Sequence, residues 1–189
     1  MRARSAVPML VLPLLVPTVL LTATPASADV RCTGTLGAIS IDDTVTVPSG
    51  ATCTLLGTRV DGDVKVYGRA TLVADGVRIG GNVQAESARS VTVRNRSVVG
   101  GDVQAKQGGT ARVLDSSVLG NVQYTEQLGA VGVERTFVDG DVQAFKNRGG
   151  VTVLRNTIDG NLQCKENSPA PTGGGNVVAG NKEDQCRRL

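Results

Sequence analysis

Apolar and polar residues alternate in short stretches along most of the chain, and these stretches return about every 20 residues. One of them begins with a Gly-[Asp/Asn]-[Val/Leu] motif, and the steps between successive motif glycines are 19, 20, 19, 20, 20 and 20 residues. The copies start at Gly62, Gly81, Gly101, Gly120, Gly140, Gly160 and, in a shortened form, Gly180. Such a short fixed period predicts a solenoid in which each repeat is one coil stacked on the last.

Two further apolar elements recur within each coil. One is a V-x-V element, and the other is an apolar residue shortly before the glycine. Asn95, Asp115 and Asn156 lie between these two elements, where residues that tolerate a left-handed conformation are expected to turn the chain. Three short strands separated by turn residues predict an all-β, right-handed parallel β-helix of about seven three-sided coils.

Strand alternation predicts which side chains fill the interior of this solenoid. The motif glycine is expected to turn a corner, the following Asp or Asn to point outward, and the Val or Leu to point inward. The predicted core from the second and third sides consists of Val93, Val113, Val133 and Val153, and of Val98, Val118, Val138 and Ile158.

The first 28 residues have the pattern of a secretory signal peptide. Arg2 and Arg4 precede an apolar run from Ala6 to Leu21, and Ala26-Ser27-Ala28 forms a cleavage site. Pro8, Pro13 and Pro17 interrupt the run, which is also too short for a spanning helix. We therefore expect an exported chain with no membrane span. In the exported part, residues 29–59 are expected to form an N-terminal cap and the first coils, 60–165 the repeats, and 166–189 a C-terminal cap.

Four cysteines, an even number, favour disulfides in an exported protein. Cys32 and Cys53 are 21 residues apart, and Cys164 and Cys186 are 22 apart, so the partners of each pair lie about one coil from each other. Adjacent coils are about 4.8 Å apart, a separation that a disulfide accepts. We predict Cys32–Cys53 and Cys164–Cys186 as links that tie the two ends of the solenoid. Zinc, the alternative, is disfavoured because the chain has no CxxC and no histidine.

Composition argues against several classes of function. Without Arg2 and Arg4 the chain has 18 basic and 17 acidic residues, a net charge of +1, and it has only two Tyr and two Phe in all. Nucleic-acid binding needs a basic surface and aromatic platforms, so it is not expected. The lack of histidine excludes Ser-His and Cys-His nucleophile pairs, and no phosphate-binding motif occurs. No cofactor is expected.

Two outward columns of polar side chains are the first candidates for a binding surface. They are Gln84, Gln104, Gln123, Gln143 and Gln163, and Asp63, Asn82, Asp102, Asn121, Asp141, Asn161 and Asn181. Asp and Asn alternate in the second column, which separates carboxylates that would otherwise repel each other. These columns are either hydrogen-bonded ladders that stabilise the stack, or a recognition face for a polar polymer such as a glycan.

Asp139, Asp141 and Asp159 form the second candidate, here called the Asp patch. Asp139 and Asp159 are equivalent in adjacent coils, and Asp141 lies two residues from Asp139 on the same side. Three carboxylates so close together are candidate ligands for Ca²⁺, or a candidate acid and base for sugar-polymer cleavage. The alternative is that Asp139-Gly140 and Asp159-Gly160 are ordinary turn dipeptides.

The repeats resemble those of bactofilins, which are polymer-forming bacterial β-helix proteins. The resemblance lies in Val60-Asp61-Gly62-Asp63-Val64-Lys65 and Gly81-Asn82-Val83-Gln84-Ala85, and it extends over about 60–165. It implies a β-helical fold and a scaffold role. Bactofilins are cytoplasmic and lack disulfide-tied ends, so polymerisation is not carried over. The chain also resembles secreted bacterial β-helix proteins, a resemblance that implies no activity.

These observations favour a non-catalytic, secreted or cell-envelope β-solenoid with a structural or binding role. The tied ends favour a monomer, and a cell-wall or extracellular glycan is the candidate partner. The alternative is a carbohydrate-active enzyme or a Ca²⁺-binding solenoid that uses the Asp patch.

Overall fold

A computed structural model describes residues 29–189, and the predicted signal peptide at 1–28 lies outside them. The described chain contains strands and turns but no helix, and accordingly no helix in it could cross a membrane. Every strand pairs in parallel with the equivalent strand of each neighbouring coil. The result is the β-solenoid that the 20-residue period predicts, with three sheets as its sides.

Sheet A has nine strands and contains the Val or Leu of the repeated motif. Its strands are β1 (Val30–Arg31), β4 (Val45–Val47), β7 (Val64–Val66), β10 (Val83–Glu86), β13 (Val103–Lys106), β16 (Val122–Thr125), β19 (Val142–Phe145), β22 (Leu162–Lys165) and β25 (Lys182–Asp184).

Sheets B and C have eight strands each. Sheet B consists of β2 (Thr35–Leu36), β5 (Thr52–Leu56), β8 (Thr71–Asp75), β11 (Ser90–Arg94), β14 (Thr110–Leu114), β17 (Val131–Glu134), β20 (Val151–Leu154) and β23 (Thr172–Gly174). Sheet C consists of β3 (Ser40–Ile41), β6 (Arg59–Val60), β9 (Arg78–Ile79), β12 (Val98–Val99), β15 (Ser117–Val118), β18 (Phe137–Val138), β21 (Thr157–Ile158) and β24 (Val177–Val178). The stack therefore has about eight turns rather than the expected seven, because β1 begins one coil before Val45, where the sequence count started.

A single apolar core runs down the axis between the three sheets. The valines of the motif and of the V-x-V element are buried as predicted. The prediction for Val98 is wrong, because Val99 is the residue that pairs with Ile79 and Val118 and is fully buried. Val98 pairs with Arg78 and Ser117 on the outer surface, since this coil has one more residue before its motif glycine.

Both predicted disulfides are present. Cys32–Cys53 and Cys164–Cys186 have Cα separations of 5.5 and 5.2 Å, which confirms that each joins neighbouring coils. At the C-terminal end, Lys182 takes the position that Leu162 has in the coil before. Its ammonium donates hydrogen bonds to the carbonyl oxygens of Asn176 and Leu189, so a polar group ends the apolar column.

The corners between sheets contain residues in the left-handed conformation, and most of the non-glycine residues among them have long side chains. Asn95 and Asp115 have φ values of 60° and 47°, as expected for turn residues. The prediction for Asn156 is wrong, because the preceding residue, Arg155, adopts the left-handed conformation with a φ of 55°. Asn156 itself is buried, so its role is inside the solenoid.

Asn156 belongs to an internal column of polar side chains at the corner between sheets B and C. Its Oδ1 accepts the backbone N–H of Thr136 at 3.0 Å, and its Nδ2 donates to the carbonyl of Val133 at 2.8 Å. Asn176 makes the same contacts one coil later. The buried members of this column are Thr58, Ser97, Ser116, Thr136, Asn156 and Asn176.

A second internal column lies at the corner between sheets A and B. Asn147 Oδ1 accepts the backbone N–H of Gln127, and Asn167 Oδ1 accepts that of Asn147. Gln185 ends the column, because its Oε1 accepts the backbone N–H of Asn167. Backbone groups at a corner have no partner within the sheets, and side-chain amides provide their hydrogen bonds. A buried backbone group left unpaired would cost about 1–3 kcal/mol.

The motif glycines serve a purpose different from the predicted one. None of them is among the described glycines with a positive φ, so they do not supply a left-handed turn. A Cβ on Gly81 would instead overlap Asp63 Oδ1 of the coil below and lie 2.9 Å from the carbonyl oxygen of Gly62. The other motif glycines meet the Asp or Asn oxygen and the glycine of the coil below in the same way, apart from Gly62, which meets backbone atoms of Asp43 and Thr44. The glycine is therefore required for close approach between coils.

Substitution of Gly81 by Ala is expected to destabilise the protein by about 2 kcal/mol or more, because the added methyl group overpacks the contact between coils. Urea denaturation measures this change. Gly68→Ala is the matched control, since the nearest atom to its Cβ would be Ser87 Cβ at 3.9 Å. Equal destabilisation by both substitutions would contradict the close-approach explanation.

Candidate functional site

The Asp/Asn column is a continuous hydrogen-bonded ladder along the corner between sheets C and A. Asp63 Oδ1 accepts the backbone N–H of Asn82 at 2.7 Å, and Asn82 Oδ1 accepts that of Asp102 at 2.8 Å. The same contact repeats up to Asn181, where the Oδ1 of Asn161 accepts its N–H at 2.9 Å. One side-chain oxygen of each coil is thus committed to the backbone of the next coil.

The alternation of Asp with Asn follows from which groups can donate. Asn82 Nδ2 donates a second hydrogen bond to Asp63 Oδ1 at 3.1 Å, and the same bond joins Asn121 to Asp102 and Asn161 to Asp141. An ionised carboxylate has no donor, so an Asp above another Asp would lose this bond and add repulsion. Apart from Asn181, which is exposed, the residues of the ladder are half-buried, and one oxygen of each accepts a hydrogen bond from the next coil. The ladder therefore acts primarily to stabilise the stack.

The three carboxylates of the Asp patch differ in their surroundings. Asp139 and Asp159 occupy equivalent positions in adjacent coils, as expected, and both are exposed. Asp141 is half-buried, and its Oδ1 accepts two hydrogen bonds from Asn161. Within residues 29–189, no three acidic, histidine or cysteine side chains are grouped so that they could hold a metal ion.

The outward face of sheet A, here called the glutamine face, presents one amide at the same position in five successive coils. Parallel pairing places Gln84, Gln104, Gln123, Gln143 and Gln163 in one column. Lys65 extends the column toward the N-terminal end and Glu183 toward the C-terminal end. A second outward column beside it contains Glu86, Lys106, Thr125, Phe145 and Lys165.

The N-terminal half of the glutamine face contains a shallow depression of about 500 Å³. Tyr67 is among the residues that line it and has a relative exposure of 46%. The polar side chains that line it are Lys65, Tyr67, Gln84, Glu86, Gln104 and Lys106. Among the described residues, only Gln104 of this set makes a side-chain hydrogen bond, through its Nε2 to Asp102 Oδ2 at 3.0 Å.

In the C-terminal half of the same face, the amides bond to one another. Gln143 Nε2 donates to Gln163 Oε1 at 3.0 Å, and Gln163 Nε2 donates to Glu183 Oε2 at 3.0 Å. The two halves of the glutamine face therefore carry similar side chains that differ in whether they bond to each other. At the C-terminal end the amides of Gln143 and Gln163 are used within the molecule, whereas among the described amides of the N-terminal end only Gln104 makes such a bond.

The pronounced pKa shifts fall outside both candidate surfaces. Arg135 donates two hydrogen bonds to the exposed carboxylate of Asp115, at 2.6 and 2.9 Å, and this contact lowers the pKa of Asp115 while raising that of Arg135. Burial raises the pKa of Tyr124, whose hydroxyl donates to the carbonyl of Gly132. Tyr124 fills the core and offers no aromatic surface to a ligand.

The depression and the internal columns are features that the sequence interpretation missed. Asn147 with Asn167, and Asn156 with Asn176, recur at the 20-residue period, which was the available signal for the internal columns. Tyr67 lies at an outward position of the strand alternation, three residues after Val64. Its neighbours Glu86 and Lys106 belong to different coils, and only the register of the stack brings them together.

Comparison with known proteins identifies no relative. No protein-family model matches the chain, and no curated protein or solved structure is significantly similar to it.

Substitutions in the Asp patch test the different surroundings of its members. Asp141→Ala is expected to cost about 1–3 kcal/mol, because the backbone N–H of Asn161 loses its acceptor. Asp139→Ala is expected to stay within about 0.5 kcal/mol, as for an exposed residue. Urea denaturation of both variants measures the difference, and Asp141→Asn, which keeps the Oδ1 acceptor, should retain most of the stability. A loss for Asp139→Ala as large as that for Asp141→Ala would contradict this assignment.

Proposed function

We propose that this chain is an exported, non-catalytic rod with a structural or binding role outside the cytoplasm, and that its glutamine face binds an extended glycan of the cell wall or matrix. The observation that carries the proposal is the repetition of one outward amide over five successive coils. Repetition at a constant spacing suits a ligand that itself repeats.

The spacing and chemistry of the glutamine face fit a polysaccharide. Adjacent coils are about 4.8 Å apart, close to the length of one pyranose unit in an extended chain. A carboxamide both donates and accepts hydrogen bonds, which matches sugar hydroxyl groups that do the same. Each contact is weak, but several contacts along one chain add through high effective concentration.

The surroundings of the Asp patch favour a non-catalytic role. Asp139 and Asp159 are exposed to solvent, and Asp141 is engaged by Asn161. Catalytic carboxyl groups are generally held in clefts whose burial shifts their pKa values apart. The ends of the rod are tied by disulfides and contain polar residues. Such ends favour a monomer, because they do not offer a free apolar coil for stacking.

The leader pattern at 1–28 and the two disulfides support export to an oxidising compartment. When the full chain is produced in an exporting bacterial host, we expect residues 1–28 to be removed and the protein to be found outside the cytoplasm with Asp29 as its new N-terminus. N-terminal sequencing and mass spectrometry of the secreted or envelope fraction measure both properties. A chain that stays in the cytoplasm with residues 1–28 attached would overturn this part of the proposal.

The glycan proposal is tested with the full chain exported by such a host and incubated with insoluble cell-wall and matrix polysaccharides, with and without Ca²⁺. We expect sedimentation with at least one polymer, independent of Ca²⁺, and no release of reducing sugar. Absence of binding to every polymer overturns the glycan proposal. Release of sugar that Asp139→Asn or Asp159→Asn abolishes would favour the enzyme, and binding that requires Ca²⁺ and Asp159 would favour the calcium-binding solenoid.

A further inference from the structure

We infer that the glycan contacts are concentrated in the N-terminal half of the glutamine face, in the depression beside Tyr67, and that this subsite selects a neutral sugar chain. The inference rests on the proposed glycan binding and specifies where the ligand binds and of which class it is.

Tyr67 supplies an aromatic surface that a sugar ring can cover. The residue is 46% exposed and lines the depression, and no described residue bonds to its hydroxyl. The face of an aromatic ring is negative, so it attracts the polarised C–H groups on the flat side of a pyranose. Of the other three aromatic residues, Tyr124 is buried, and Phe137 lies on sheet C.

Phe145 is the aromatic residue on the C-terminal half of the same face. It is in the same outward column as Glu86 and Lys106. In contrast to the exposed Tyr67, it is half-buried, and it lies beside the amides that bond to each other. A ligand that uses the amides of Gln143 and Gln163 would have to break the hydrogen bonds of these side chains before making its own. Binding in the N-terminal half has no such cost at Gln84, whose amide makes no hydrogen bond with a described residue.

The groups next to Tyr67 can hydrogen-bond a sugar in both directions. The Gln84 amide donates and accepts, the Lys65 and Lys106 ammonium groups donate, and the Glu86 carboxylate accepts. These four side chains come from three adjacent coils and line one depression. Hydroxyl groups on a ring that covers Tyr67 would therefore meet both donors and acceptors at its edge.

The balance of charge favours a neutral ligand. The depression contains the two ammonium groups of Lys65 and Lys106 and the carboxylate of Glu86. Asp63 and Asp102 in the adjoining ladder add two further carboxylates. Asp63 lies two residues before Lys65, and Asp102 Oδ2 accepts a hydrogen bond from Gln104. Three negative groups against two positive ones give no net attraction for a polyanion, whereas a neutral chain avoids the repulsion.

Isothermal titration of the full chain with cellohexaose, with an N-acetylglucosamine hexamer and with oligogalacturonate tests the inference. We expect at least one neutral oligomer to bind more tightly than oligogalacturonate, with little dependence on salt. Tyr67→Ala should weaken binding about tenfold, the loss expected for one aromatic contact of about 1.4 kcal/mol, while Tyr67→Phe should retain it. Gln84→Ala should also weaken binding.

Phe145→Ala and Gln143→Ala are the matched controls in the C-terminal half, and each should change affinity less than about twofold. Urea denaturation confirms that each variant is folded, and Tyr67 is exposed enough for its removal to leave the fold intact. Loss of binding in the two controls, with Tyr67→Ala and Gln84→Ala unaffected, would overturn the location but leave the proposed glycan binding in place. Preference for oligogalacturonate would overturn the neutral-ligand assignment, and absence of binding to all glycans in the wild type would overturn the proposed function as well.

Discussion

The hydrogen bond from the backbone of one coil to the Asp or Asn oxygen of the coil below is the interaction on which this structure depends. At Asn82 this bond to Asp63 Oδ1 is 2.7 Å long, and the space for the acceptor oxygen exists only because Gly81 has no Cβ. The glycine and the polar residue after it therefore act together to join neighbouring coils. Repeated along the corner between sheets C and A, it sets the same register in every coil, and the three parallel sheets follow from that register.

The two internal columns solve the same problem at the other corners in a different way. Asn147 and Asn156 place a side-chain amide inside the solenoid, where its Nδ2 donates to a backbone carbonyl of the coil below and to a side-chain amide oxygen of the coil above. A narrow core lined by valine can thus have polar corners without unpaired groups, and no buried side-chain nitrogen or oxygen of residues 29–189 lacks a partner. Long exposed side chains such as Arg155 occupy the left-handed corner positions next to these columns, because the inward amide holds the turn.

This internal satisfaction of polar groups changes how the surface should be interpreted. A column of polar residues on a solenoid is evidence for binding only where its groups are not already used by the stack. The Asp/Asn ladder and the Gln143–Gln163–Glu183 series are largely used in this way. The side chains around Tyr67 are not, although they lie on the same sheet and follow the same periodicity. We propose a glycan-binding role for this face because outward amides repeat on it at the spacing of a polymer and because the groups around Tyr67 are not used by the stack.

The sequence by itself determined the solenoid, the three-sided coil, most of the core and both disulfides, because each of these follows from a period of about 20 residues and from strand alternation. The period could not reveal why glycine is required at Gly81, since a close approach to Asp63 is a relation between coils and not within one. Nor could it place Val99 rather than Val98 in the core, because an extra residue at a corner shifts the alternation locally. It also predicted a left-handed turn at Asn156, which lies instead inside the solenoid. The candidate site was the least predictable part, because its members come from three coils and their freedom to bind depends on hydrogen bonds that form only when the coils stack.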